Sequence, residues 1–191
     1  MTPSEPSPFD VVEASRRVWL GRWSEDAASG MAAYTAILRS HQLLREQVDV
    51  VMRRHDLTFV RHQVLAWLAT DPEPSLTLSW ISRTLRMPPA TLTNVVDHLE
   101  AKGLVRRQTH PTDGRTTLAV ITEAGRRLEA EVTAELNAEV YERIPLGDVE
   151  RAELTALLRE LRSRAQEFDP ERSAEVIAGL DGRADSGTDG A

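Results

Sequence analysis

Apolar positions recur at helical spacing over most of the chain and switch once to strand-like alternation, between about 104 and 121. A first helix is expected over about 9–23, where Val11, Val12, Val18, Trp19 and Trp23 are the apolar members. Ser29-Gly30 reads as a break. A long helix then covers about 31–54 on Tyr34, Ile37, Leu38, Leu44, Val48 and Val51, with His41 on the same stripe. A third helix fills about 58–70, turning Val64, Leu65, Trp67 and Leu68 inward, and Asp71-Pro72-Glu73-Pro74 ends it. Leu78, Ile81 and Leu85 mark a short helix, Arg86-Met87-Pro88 a turn, and about 89–102 a second helix. Pro89 suits a first turn, where its missing N–H has no intrahelical partner, and Gly103 suits the stop. A hairpin follows over about 104–121. Thr122 is placed to cap a helix reaching about 143, with Glu123 complementing its dipole. Pro145-Leu146-Gly147 interrupts before a last helix at about 148–167. The Gly-, Asp-, Ser- and Ala-rich residues from 169 onward read as a flexible tail with at most one helical turn at Ala174–Leu180.

This order of elements predicts a mainly α protein with a small β-hairpin, a winged helix-turn-helix. Residues 1–8 are expected to be disordered, 9–56 and 128–168 to be N- and C-terminal dimerisation helices, 57–127 the DNA-binding domain, and 169–191 a flexible acidic tail. On the 89–102 helix, Leu92, Val95, Val96 and Leu99 form the stripe that must face a core. The opposite face shows Ala90, Thr91, Asn94, His98 and Ala101, with Thr93 and Asp97 at the flanks. Small and amide side chains there let a helix sink into a major groove. Asn94 can pair bidentately with adenine, and Thr91 can meet a phosphate or a thymine methyl; the alternative for both is simple solvation. His98 stands between solvation and DNA contact. Arg106 and Arg107 alternate sides of a strand, so at most one is buried and the other faces phosphate or a pocket. Arg115 lies near the hairpin tip, where an extended guanidinium can enter a narrow minor groove, and Asp113 is placed to hold it through a charge-assisted hydrogen bond. An incidental ion pair on a solvated hairpin is the bland alternative.

Composition at first argues otherwise, because the 191-residue chain carries a formal net charge of −7. Local counting reverses this. From Ser75 to Arg127 eight cations (Arg83, Arg86, Lys102, Arg106, Arg107, Arg115, Arg126, Arg127) face four acids (Asp97, Glu100, Asp113, Glu123). Charge on the contacting face is what phosphate senses, since exposed charges beyond roughly 8–10 Å are screened at physiological salt. There is no cysteine, which excludes disulfides and thiol-based sensing and suits a reducing cytosol. No apolar run approaches a membrane span and the start lacks a signal-peptide pattern, so a cytoplasmic protein without membrane association is expected. The five histidines, His41, His55, His62, His98 and His110, form no close cluster, and no metal or cofactor is expected.

The pieces LTFVRHQVLAWLA, ISRTLRMPPATLTNVVDHLEAKGLVRR, PTDGRTTLAVIT and TEAGRRL, over about 57–128, resemble the multiple antibiotic resistance regulator (MarR) family in order and spacing. With the flanking helices, the resemblance spans roughly 30–167. It implies a homodimeric repressor whose terminal helices intertwine and whose two winged modules grip a pseudo-palindrome of double-stranded DNA. By position it implies a recognition helix at 89–102 and a wing arginine at Arg115 partnered by Asp113. Gly114 stands where the family usually has arginine, Asn94 where the recognition helix commonly has arginine, and Pro88 where a capping serine is usual. The resemblance also implies a small aromatic effector bound between the dimer helices and the winged module. Trp19, Trp23, His41, Arg45 and Trp67 are the residues placed to line that pocket, with core or dimer packing as the alternative for the tryptophans. A urate-responsive subset has a similar N-terminal helix with a tryptophan. Gln63 and Asn94 depart from the residues that subset uses.

Two other classes compete. One is a winged-helix module whose wing meets an acidic protein instead of DNA. The other is an enzyme, for which no nucleophile elbow, phosphate loop, HExxH or paired-carboxylate motif is present.

Overall fold

The computed structural model describes residues 7–70 and 75–184. Its elements in chain order are α1 (Val11–Leu20), α2 (Glu25–Arg54), α3 (Phe59–Thr70), β1 (Ser75–Thr77), α4 (Leu78–Thr84), α5 (Pro89–Ala101), β2 (Val105–Thr109), β3 (Thr117–Ile121), α6 (Glu123–Leu136), α7 (Asp148–Arg164) and α8 (Pro170–Ala184). A π-helical turn, Asn137–Tyr141, prolongs α6 before the Pro145 break.

Local chemistry explains most boundaries. Asp10 caps α1 by accepting from the Val12 N–H at 2.9 Å, and Ser24 caps α2 through the Ala27 N–H at 3.2 Å. The turn between α4 and α5 is locked twice: Ser82 Oγ donates to the Met87 carbonyl at 2.6 Å, while Met87 N–H bonds back to Ser82 at 2.9 Å. Arg86 takes a left-handed φ of 49° there. Pro88 supplies no side-chain acceptor to α5, as its residue type dictates, and Pro89 occupies the first turn. Thr122 does more than cap. Its hydroxyl accepts from Gly125 N–H at 3.1 Å and lies 2.7 Å from the Gly103 carbonyl, to which it donates. One side chain thus ties the start of α6 to the end of α5.

Three expectations give way. Helix α2 runs straight through Ser29-Gly30, because Ser24 starts it earlier and Ala28 is fully buried in the bend it makes with α1. An isolated glycine in a helix costs only about 1 kcal/mol, which such packing offsets. Secondly, the sheet has three strands in the order β1-β3-β2, all antiparallel. Strand β1 is too short to show a period, and it exists through its partner: Ser75 pairs with Val120 and Thr77 with Leu118. Thirdly, the stretch read as a flexible tail with one turn at Ala174–Leu180 carries the helix α8 from Pro170 to Ala184. The expected stop at 71–74 and the disorder of residues 1–6 lie outside the described residues.

The core gathers where the module meets the long helices. Val64, Leu65 and Leu68 of α3, Ile81 of α4, Leu92, Val96 and Leu99 of α5 and Val132 and Leu136 of α6 are all essentially inaccessible. Each buried side chain of this size contributes roughly 1.5–3 kcal/mol, so this cluster fixes α5 against the sheet. By contrast, α1 and α7 bury no residue completely.

Candidate nucleic-acid interface

Burying Leu92, Val96 and Leu99 rotates the rest of α5 outward. Ala90, Thr91, Thr93 and Asn94 are exposed, as the stripe requires. Thr93 turns its hydroxyl back onto the Pro89 carbonyl at 2.9 Å, which leaves Thr91 and Asn94 as the open polar groups of the first turns. His98 is different. It lies three residues on from Val95, at the edge of the buried stripe, and its Nε2 is inaccessible without a hydrogen-bond partner among the described residues. It is therefore not part of the open reading face on which sequence reasoning placed it.

The hairpin separates its two arginines as alternation predicts. Arg107 pairs in register with Ala119 and turns under the sheet toward α5. There its guanidinium reaches Asp97 at 2.7 Å and Glu100 at 2.5 Å, and its backbone N–H donates to Glu100 at 2.8 Å. These two bonds hold the Glu100 carboxyl below the ordinary carboxylate range. Arg107 is thus a brace between wing and recognition helix rather than a free phosphate contact, which corrects the expectation for this residue. Arg106 faces the other way, out from the sheet, with its guanidinium 3.0 Å from Gln108 Oε1.

At the tip, Asp113 acts on backbone instead of on a guanidinium. One carboxylate oxygen accepts from Thr116 Oγ1 at 2.7 Å and the other from the Arg115 N–H at 3.0 Å. The Thr116 hydroxyl first and the Arg115 N–H second hold the Asp113 carboxyl below the ordinary carboxylate range. The expected side-chain bond between Asp113 and Arg115 is absent among the described residues. A charge-bearing side chain this near the tip is shaped by its turn and left open toward solvent.

Of the segment's eight cations, Lys102 is tied to Asp56 at 2.6 Å, Arg127 to Glu123 at 2.9 Å, and Arg107 as above. Arg83, Arg106 and Arg115 are in no ion pair among the described residues. The residues expected to line an effector pocket are scattered. Trp67 packs edge-to-face on Trp80, ring centroids 5.3 Å apart. Arg45 pairs with Asp49 at 2.9 Å and lies over the Phe59 ring. Trp19 on α1, Trp23 in the link that follows it and His41 on α2 are exposed. No described cavity is lined by any of the five.

Sequence reasoning missed the joint between α2 and α6. Arg54 binds Glu135 at 2.9 Å and Glu139 at 2.5 Å, and His55 Nε2 lies 3.0 Å from Glu135. The i, i+4 spacing of Glu131, Glu135 and Glu139 was the available signal.

A short helix, a locked turn, an open-faced helix and a basic hairpin on a three-stranded sheet define a winged helix-turn-helix regulator. Comparison with known proteins agrees. The profile of the MarR family matches residues 55–116. The crystal structure of Sco5413, a MarR family transcriptional regulator from Streptomyces coelicolor, is 37% identical, covers 74% of this chain and 98% of its own, and superposes with a TM-score of 0.67. The HTH-type transcriptional regulator MhqR of Bacillus subtilis is 28% identical over 71% of this chain and 92% of its own length. Sco3205 of S. coelicolor, solved in complex with DNA, shares the fold at 21% identity with a TM-score of 0.65, over 76% of this chain and 91% of its own. The chain belongs to the MarR family of transcriptional regulators. Among the described residues no helix is long and apolar enough to cross a membrane.

Proposed function

We propose that this regulator is a homodimeric, ligand-responsive repressor that grips a pseudo-palindromic operator, with α5 in the major groove and the wing in the adjacent minor groove. The observation that carries the reading is the pairing of an open helix face (Ala90, Thr91, Asn94) with an uncommitted Arg115 in an otherwise acidic chain. Asn94 reads a base, Thr91 and Thr93 approach the backbone, and Arg115 enters the minor groove. Asp113 shapes the turn that presents Arg115, and Arg107 positions the wing. A small aromatic effector bound between the dimer helices and the module, beside Trp19, Trp23, His41, Arg45 and Trp67, is part of the proposal. It is supported by the family resemblance rather than by a formed cavity.

A gel-shift titration on DNA upstream of the chain's own gene tests this. Affinity is expected to fall log-linearly with salt, with a slope near −0.9 per neutralised phosphate. Arg115→Ala is expected to weaken binding to every sequence and reduce that slope. Asn94→Ala is expected to lose about 1–3 kcal/mol at the preferred site and relax preference at one base pair. Salt-independent binding, or none to duplexes of any sequence, refutes the reading. Uniform loss by Asn94→Ala removes Asn94 from base recognition.

A further inference from the structure

The joint between α2 and α6 gathers groups that DNA reading leaves idle. The five histidines form no cluster with one another, but one of them meets two carboxylates. His55 follows α2 directly, and its side chain is only 10% exposed. Glu131 and Glu135 stand one turn apart on α6 and approach it from the same face. Nε2 of His55 lies 3.0 Å from Glu135 Oε1, and Nδ1 lies 4.0 Å from Glu131 Oε1. One ligand atom from each of the three residues falls within 4.8 Å of the others. Arg54 completes the arrangement from outside. Its guanidinium takes the other oxygen of Glu135 at 2.9 Å and so turns Oε1 toward the ring. Metal sites are ordinarily backed in this way, by an outer partner that orients each ligand.

We propose that His55, Glu131 and Glu135 bind one divalent transition ion of the Zn²⁺ class per chain. An imidazole with two carboxylates is a donor set for Zn²⁺ and its first-row neighbours, whereas Mg²⁺ and Ca²⁺ take oxygen ligands. The geometry is close to what such an ion needs. Ligands about 2.0–2.2 Å from a tetrahedral centre lie roughly 3.3 Å from each other, and the His55–Glu135 pair already stands at 3.0 Å. Glu131 has further to come and has room to do so. It is 64% exposed, and its only ion pair among the described residues is with His55. Two carboxylates offset the double charge of the ion, and a fourth position stays open to water. The ion takes a single ring nitrogen, so the contact between His55 and Glu135 is replaced by a bond from each to the metal. Once bound, it clamps the end of α2 to α6, the helix that Thr122 stitches to the end of α5.

Equilibrium dialysis of the untagged full-length protein against Zn²⁺, without DNA, tests the site apart from the operator reading. One ion per chain is expected, together with a rise of the thermal midpoint, since an ion held only by the folded chain stabilises it. Mg²⁺ at millimolar concentration is expected to leave the midpoint where it is. Glu131→Gln is expected to weaken Zn²⁺ binding at least tenfold without moving the midpoint of the metal-free protein, and His55→Gln to lose binding. His41→Gln, on an exposed part of α2, is expected to leave binding unchanged. No uptake at micromolar Zn²⁺, unaltered affinity in Glu131→Gln, or loss in His41→Gln instead overturns the assignment.

Discussion

Arg106 and Arg107 are neighbours with opposite duties, and the sheet decides between them. Arg107 shares a register position with the buried Ala119, so it must answer to α5, where Asp97 and Glu100 take its charge. Removing it leaves two carboxylates facing each other at a joint that sets the wing angle. Arg107→Ala is expected to lower stability by about 1–2 kcal/mol and to weaken DNA binding with little change in salt slope, as read by urea titration and gel shift. Arg115→Ala shows the reverse pattern, because its guanidinium supports no other described residue. His62 makes a second residue-scale case. It is buried in α3, with Nε2 3.1 Å from Thr133 Oγ1, whose hydroxyl donates to Glu129 at 2.7 Å. Burial pushes its protonation below the usual histidine value of 6.5. A depressed folded-state value means the unfolded chain binds the proton more readily. Stability from His62 is therefore complete above about pH 6.5 and is lost as pH falls below it. Denaturation midpoints are expected to drop between pH 7.5 and 5.5, and His62→Leu is expected to flatten part of that drop; an unaltered pH dependence contradicts the account.

At the scale of elements, two glycines show how context sets the sign of one substitution. Gly30 sits within α2, and an added Cβ meets nothing within 4 Å. Gly30→Ala is expected to raise stability by about 0.5–1 kcal/mol, since it only removes backbone freedom from the unfolded chain. Gly125 lies in the first turn of α6, where an added Cβ falls 2.2 Å from the Leu104 carbonyl oxygen and 2.9 Å from Ile121 Cγ1. That carbonyl already accepts the Thr122 N–H at 3.0 Å and cannot withdraw. Gly125→Ala is expected to destabilise by about 3 kcal/mol, measurable by thermal denaturation. The Thr-x-x-Gly signature thus has a mechanical meaning: threonine stitches α6 to the end of α5, and glycine lets the two approach.

The whole molecule leaves unusual surfaces bare. Helix α1 exposes Val18, Trp19 and Leu20, the link after it exposes Trp23, α2 exposes Tyr34, Ile37 and Leu38, and α7 exposes Leu154, Leu157 and Leu161. Apolar faces of this extent on a soluble helix mark association surfaces, and their place outside the module matches the intertwined dimer proposed above. Leu157→Glu in α7 is expected to shift the protein toward monomer in light scattering and to abolish two-half-site protection in footprinting. Full dimer retention places the subunit contact elsewhere. Half-sites about 34–36 Å apart, one helical turn, are the matching expectation on DNA. With a net charge of −7 on the whole chain, non-specific phosphate binding is expected to be low and the uncommitted cations of the module to decide where the protein settles.

The sequence alone determined the order of the helices from α3 to α7 with the hairpin between α5 and α6, the buried stripe of α5 and the winged class, because these follow from short-range period, caps and turns. It also separated Arg106 from Arg107 by strand alternation. Only tertiary structure decided which of the two was free, since that depends on which sheet face meets α5. Likewise β1, His98 and the grip of Asp113 on backbone depend on partners distant in sequence or on turn geometry that residue type does not fix. The continuity of α2 through Gly30 belongs to the same group, because packing against α1 overrode a local signal worth about 1 kcal/mol. Period and propensity act within a few residues, whereas charge pairing and burial are settled by what the fold brings alongside.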